Sequence, residues 1–171
     1  MKGLDTMKEI PVNELNFNPW NKIGKEWFLL TSGDEENGFN TMTAAWGFAG
    51  VMWGKNVFTT VVRPNRYTYE FMEKNELFTA SFFDDKYRKE LIFCGSYSGR
   101  DCNKIAQTKL SPEFIDGTTA FEEAKLILVC RKIYAQDMDL SIMAEDVKPA
   151  NGSDPIHKQF IGEIVKAYIN E

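Results

Sequence analysis

Two short stretches of this chain carry residue types that suit one kind of ligand. Asn40-Thr41-Met42-Thr43-Ala44-Ala45-Trp46-Gly47 combines hydroxyls with low-bulk side chains and closes on a tryptophan and a glycine. Ala44, Ala45 and Gly47 would let a flat ring lie close to the backbone, where its polar edge meets N–H and C=O groups. Trp46 would wall off one face or edge of that ring. Arg63-Pro64-Asn65-Arg66-Tyr67-Thr68 sets two arginines around a proline turn, just before a helix is due to begin. Fork-shaped guanidinium donors match a phosphate, and charge-assisted hydrogen bonds are the strong ones. The first N–H groups of a helix capped by Asn65 would add their dipole end, and Thr68 a hydroxyl. Together the two stretches describe a pocket for a planar aromatic ring that carries a phosphate. Each also has a plainer reading. The arginines suit an exposed strand–helix corner and can pair with Glu70 and Glu73. The small-residue strand suits an ordinary core position beside a buried tryptophan.

Other signals are weaker. Ser98-Gly99-Arg100, followed by Lys104, places a hydroxyl and two cations in a loop suited to an anion, though helix-terminating loops look alike. His157, the single histidine, is a candidate proton donor or nicotinamide contact, and equally an exposed loop residue. No Ser/His/Asp arrangement and no Gly-x-Gly-x-x-Gly pattern is present, which removes support for a hydrolase or a Rossmann nucleotide site. Cys94, Cys102 and Cys130 have no Cys-x-x-Cys spacing, so no metal site is expected and a reducing compartment fits.

The elements that must position these residues read mainly as strands. Apolar or β-branched runs at 27–32, 41–46, 48–53, 57–62, 77–83, 122–134 and 160–169 are separated by glycine- and asparagine-rich turns, one of them at 151–155. Short helices are expected at 66–74, after Asp84 or Asp85 to about Gly95, and at 101–107. Six or seven antiparallel strands with two or three inserted helices predict a mainly β fold, closed into a barrel to remove exposed edges. At 171 residues the chain is expected to form a single domain, 1–171, with an irregular lead-in over 1–25 and the barrel over 26–169. A net charge of −5 argues against nucleic acid as the main partner. No apolar run is long enough for a bilayer and no signal peptide is evident, so a cytoplasmic protein with no membrane partner is expected.

The order of these blocks resembles the flavin reductase-like, FMN-binding split-barrel family, and within it the flavoredoxin-type branch. The matching residues are Asn40-Thr41-Met42-Thr43 with Trp46-Gly47, Val62-Arg63-Pro64 with Arg66-Tyr67-Thr68, and the strand at 78–83. Ser98-Gly99-Arg100-Asp101 with Lys104, and His157 followed by Gly162-Glu163-Ile164, complete the set. The resemblance runs from about 27 to 168 and implies a homodimeric Greek-key split barrel that binds one non-covalent FMN per subunit. It implies that Thr41, Met42, Thr43, Ala44, Ala45 and Trp46 contact the isoalloxazine ring, beside Asn40. Arg63, Asn65, Arg66 and Thr68 would hold the phosphate and ribityl oxygens, helped by Ser98, Gly99, Arg100 and Lys104. His157 keeps the five-residue spacing to Gly162 that places a histidine near nicotinamide in reductase members. The chain departs from the reductases of two-component monooxygenases at Ala44 and Ala45, where serines are usual, and at Met52-Trp53-Gly54-Lys55, where a double proline is usual.

The function implied is transfer of hydride or electrons from NAD(P)H through bound FMN to an acceptor. Two alternatives stay open: a flavoredoxin-type carrier that exchanges electrons with a redox-protein partner and leaves NAD(P)H alone, and a non-redox binding module on the same barrel.

Overall fold

The computed structural model describes residues 7–149 and 155–170. The chain enters through β1 (Met7–Glu9) and a single helical turn, α1 (Pro19–Asn21), widened by a π-turn over Lys22–Glu26. Four strands follow: β2 (Phe28–Asp34), β3 (Gly38–Ala44), β4 (Gly47–Met52) and β5 (Lys55–Val62). Helix α2 (Tyr67–Lys74) leads to β6 (Leu77–Phe82), then α3 (Arg88–Ser96) and the short α4 (Lys104–Gln107). The chain ends with β7 (Pro112–Ile115), β8 (Thr118–Phe121), β9 (Leu126–Asp137) and β10 (Lys158–Asn170).

All pairings are antiparallel. One sheet has the order β3-β2-β6-β9-β10-β5-β4, with β1 added to the end of β10, and β7–β8 forms a separate hairpin. β10 is the hub: it pairs with β9 along one side, and with β5 and then β1 along the other. Strand alternation sorts the apolar residues onto two faces. Phe28, Leu30, Phe78, Phe82, Leu128 and Phe160 point to the interior, where Met72 of α2 closes one end. Leu29, Ile127 and Val129 point outward and are covered by Leu91 and Cys94 of α3 and by Ile115 and Phe121 of the hairpin. β2 and β5 are not neighbours in the sheet, yet the Phe28 and Phe58 rings meet edge to face at 5.2 Å, and both reach Phe82. Only a rolled sheet brings those rings together. Each such buried phenylalanine contributes roughly 1.5–3 kcal/mol of apolar burial.

Two tight turns set strand register. Trp53-Gly54 joins β4 to β5 with φ of 52° and 71°, and Asp116-Gly117 joins β7 to β8 with φ of 50° and 81°. Both central residues lie at positive φ, as a type I′ hairpin turn requires. Gly162 answers a different demand. It lies at a register shift between β10 and β9, where a Cβ would stand 2.6 Å from the Phe78 ring and 2.7 Å from Cys130 Cβ.

The mainly β barrel with short inserted helices is what the sequence predicts, but several boundaries differ. Ten strands are present among the described residues rather than six or seven. The lead-in is not wholly irregular, since β1 pairs with β10. The strand expected over 41–46 begins at Gly38 and stops at Ala44, which leaves Ala45-Trp46 as the connection to β4. The helix expected over 101–107 is confined to Lys104–Gln107 and is capped by Asn103, whose Oδ1 accepts from Ile105 and Ala106 N–H. Neither Asp84 nor Asp85 caps α3; the 3₁₀ turn Asp85–Tyr87 precedes it without a side-chain cap. The loop expected over 151–155 lies, apart from Pro155, outside the described residues.

Replacing Gly162 by alanine forces Phe78 or the β10 backbone to shift. The expected loss is about 1–3 kcal/mol of unfolding free energy, the usual cost of overpacking a core, read from urea midpoints. An unchanged midpoint would refute the close contact.

Candidate functional site

β5 ends at Val62, and the turn Arg63-Pro64-Asn65 is closed by the Arg66 N–H donating to Arg63 O at 3.0 Å. Pro64 has no N–H to extend the ladder, so the strand stops there. α2 then opens on Arg66 in extended backbone, with no side-chain cap. The cap expected from Asn65 is therefore absent. Asn65 is exposed, and its carbonyl accepts from Arg100 Nη1 at 3.3 Å. The first turn of α2 therefore has no side-chain acceptor for its leading amides.

β3 is bolted to its surroundings by polar side chains. Asn40 Nδ2 donates to Thr68 Oγ1 at 2.7 Å, so these two buried residues hold α2 against the strand. The Thr41 hydroxyl shares a 2.8 Å hydrogen bond with Thr31 and turns toward β2. Thr43 Oγ1 donates to Leu91 O of α3. Lys104 reaches in from α4 and is only 6% exposed. Its ammonium donates to Thr41 O at 2.8 Å and to Cys94 O at 2.7 Å. Burial pulls the Lys104 ammonium below the ordinary lysine range and pushes the neighbouring Cys94 thiol up to about 11.

Three hollows lie in a row along this seam. The first, about 240 Å³, is lined by Thr43, Ala44, Ala45, Trp46, Arg63, Arg66 and His157, with Met42 and Val61. The second, about 200 Å³, is lined by Asn40, Asn65, Arg66, Thr68, Ser98, Gly99 and Lys104, together with Ser96 and Tyr97. Met42 and Arg66 border both. The third is an open groove of about 810 Å³ that shares Asn40, Tyr67, Gly99, Asp101 and Lys104 with the second and nothing with the first. The Trp46 and His157 rings meet at the far end of the first hollow, 5.1 Å apart and tilted by 46°. Trp46 stays 61% exposed, so it borders the hollow and is not the buried tryptophan of the plainer reading.

The sequence-derived residues thus divide into groups. Met42, Thr43, Ala44, Ala45, Trp46, Arg63, Arg66 and His157 are brought together around the first hollow. Asn40, Asn65, Thr68, Ser98 and Lys104 gather around the second. Arg100 is not brought to the other two arginines; it pairs with Glu70 and lies over the Tyr67 ring, 4.7 Å from the centroid. Glu70 is thus spent on Arg100, not on the arginines of the turn as the plainer reading had it. Thr41 is not brought to the first two hollows; it lines only the third, with its hydroxyl engaged by Thr31 of β2 and its carbonyl by Lys104. Two glycines have packing reasons. A Cβ on Gly99 would stand 2.1 Å from Asn40 Oδ1, and one on Gly47 would stand 2.2 Å from Thr59 O. Gly47 therefore admits β5, not a ring. Val61, Ser96 and Tyr97 were not singled out from the sequence; Ser96-Tyr97 adjoins Ser98-Gly99, and that adjacency was the available signal. Among the described residues no group of three or more His, Cys, Asp or Glu side chains is placed to hold a metal, and no helix is long and apolar enough to cross a membrane.

A profile of the family described as "flavin reductase like domain" matches residues 20–171. The chain belongs to that family. No curated protein matches its sequence. Solved structures with the same fold include an FMN-binding domain of flavin reductases-like enzyme from Shewanella baltica, with 18% identity, TM-score 0.69, and 96% of this chain and 77% of that one covered. Flavoredoxin of Desulfovibrio vulgaris has 20% identity and TM-score 0.67, covering 96% and 78%. The styrene monooxygenase flavin reductase of Pseudomonas putida has 12% identity and TM-score 0.63, covering 85% and 80%. The matched span begins within α1, and β1 lies outside it.

Lys104 yields a pH-dependent expectation. Burial holds its folded value below the ordinary 10.5, so the folded chain binds that proton less tightly than the unfolded chain. Stability of the ligand-free protein should therefore rise as pH climbs from the folded value toward 10.5. Lys104→Met should lose that rise in urea midpoints measured across the alkaline range. Parallel pH profiles for the two proteins would contradict the buried ammonium.

Proposed function

We propose that this protein binds FMN non-covalently and works as a flavin-dependent oxidoreductase that draws electrons from NAD(P)H and passes them to an acceptor. The observation that carries the reading is the line of hollows whose middle is shared by Arg66. One end has low-bulk walls and an aromatic pair; the other has the uncapped start of α2, the Thr68 hydroxyl and the Lys104 ammonium. The donor set fits a phosphomonoester. Lys104 is satisfied only by carbonyl oxygens, which carry no full charge, so an anion nearby would supply the missing counter-charge.

FMN, when bound, supplies the hydride- and electron-accepting chemistry. The chain's own contribution is binding and orientation. Arg63 and Arg66 would grip the phosphate and ribityl end, with Thr68, Asn65 and Ser98 beside them. Ala44 and Ala45 would leave room for the ring at the strand end, and Met42 and Thr43 would border it. Trp46 and His157 would shield its outer edge, with His157 placed to orient nicotinamide or hold a proton. The FMN-binding protein of Thermus thermophilus, solved with 1-cyclohex-2-enone and with p-hydroxybenzaldehyde, has the same fold at 20% identity and TM-score 0.66, which supports a flavin at this seam. The cysteine pattern supports a cytoplasmic location. A flavoredoxin-type carrier is the second reading, favoured by Ala44 and Ala45 at usual serine positions and by the flavoredoxin among the structural neighbours.

Purified protein should be yellow. Arg63→Ala and Arg66→Ala should each weaken FMN binding by about 1.5–3 kcal/mol, the scale of a hydrogen bond to a charged group, in flavin fluorescence titrations; unchanged affinity in both would remove the phosphate assignment. Anaerobic NADH or NADPH should bleach the flavin absorbance. Bleaching by a reduced ferredoxin-like donor alone would shift the conclusion to the carrier.

A further inference from the structure

Met42 and Arg66 are the residues common to the first and second hollows. They stand where the low-bulk compartment passes into the cation-lined one, so a ligand that spans both must pass them. Arg66 offers charged donors at that passage. Met42 offers only a thioether, with no N–H or O–H to donate.

Strand β3 sets Met42 at a boundary. It lies opposite Leu30 of β2 and packs against the barrel core. It is not sealed there, because it is only partly buried and borders both hollows. The other described methionines are placed differently. Met72 is 1% exposed inside the barrel, and Met7, Met52, Met138 and Met143 border none of the three hollows. A methionine thioether is oxidised to a sulfoxide, which turns a flexible apolar side chain into a polar one. Hydrogen peroxide, the product of dioxygen reduction by a dihydroflavin, would arise beside this particular side chain.

We propose that Met42 is an oxidation site through which hydrogen peroxide weakens the protein's hold on its flavin. The proposal rests on the flavin assignment of the first two hollows. The sulfur lone pair attacks one peroxide oxygen, the S–O bond forms and the O–O bond breaks. The departing hydroxide takes the proton of the transferred hydroxyl and leaves as water. Sulfur loses two electrons, and the peroxide oxygens gain them. The product carries a polar oxygen at the edge of an apolar core, where an unpaired acceptor is costly. Arg66 is the donor that borders the same two hollows, so its guanidinium is drawn to the sulfoxide and away from the phosphate. The added oxygen also narrows the passage.

In the experiment, holoprotein is treated with hydrogen peroxide, quenched with catalase, reduced with dithiothreitol to restore thiols, and deflavinated. Peptide mass spectrometry reads the added oxygen on Met42, and fluorescence titrations compare FMN with riboflavin before and after treatment. Treated wild type should lose about ten-fold or more in FMN affinity, the scale of one hydrogen bond to a charged group. Riboflavin, which has no phosphate, should lose less, and methionine sulfoxide reductases with a dithiol should restore both. Met42→Leu, a volume-conserving swap, should keep its own untreated affinity after the same treatment, whereas Cys102→Ser should lose affinity as wild type does. An unmodified Met42, a loss that persists in Met42→Leu, or a loss that vanishes in Cys102→Ser overturns the proposal. Equal losses for FMN and riboflavin overturn the capture of Arg66. A collapsed urea midpoint in treated wild type also overturns the proposal, since the lost affinity is then unfolding. All these results leave the flavin assignment standing; untreated protein that binds no flavin defeats both.

Discussion

The Lys104 ammonium is shared between two backbone carbonyls, Thr41 O in β3 and Cys94 O in α3, and it does so almost out of reach of water. A buried cation with only carbonyl partners is costly to maintain. It ties together three segments that are distant in sequence: the strand bearing the low-bulk residues, the helix behind it and the loop running into α4. The Asn40–Thr68 hydrogen bond completes the frame by holding the start of α2 to the same strand. With those ties in place, Arg63, Arg66 and the first turn of α2 line one seam.

Much of the fold is readable along the chain because the strands alternate over most of their length. Leu126-Ile127-Leu128-Val129-Cys130 looks like an unbroken apolar run, and it is one because the interior claims every second residue and α3 with the β7–β8 hairpin claims the others. The hairpin itself went unread although Asp116-Gly117 is a strong type I′ signal; its flanking strands span only four residues each, too short for a clear period. β1 was hidden for a similar reason, since three residues carry no period and its partner lies at the opposite end of the chain.

For the site, residue type was more informative than assigned role. Arg63, Arg66, Trp46 and His157 were legible as functional candidates and do converge. Which atom of each residue faces outward was not legible. Thr41 and Asn65 show why: one hydroxyl is turned to β2 by Thr31, and one side chain is displaced from the cap because the helix starts a residue later. Arg100 was drawn away by Glu70 and Tyr67, partners 30 and 33 positions upstream that no local spacing rule anticipates. Gly99 and Gly47 looked permissive for a ligand, yet their missing side chains are required by Asn40 and by Thr59.

Every wall of the seam comes from a different stretch: β3, the β5–α2 corner, the end of α3, the approach to α4, and the residue just before β10. No subset of these stretches is local enough to form half a site. Whatever the seam holds is therefore coupled by mass action to closure of the whole barrel, and a lesion far away, in the β9–β10 ladder for instance, would be felt as weaker grip on the ligand.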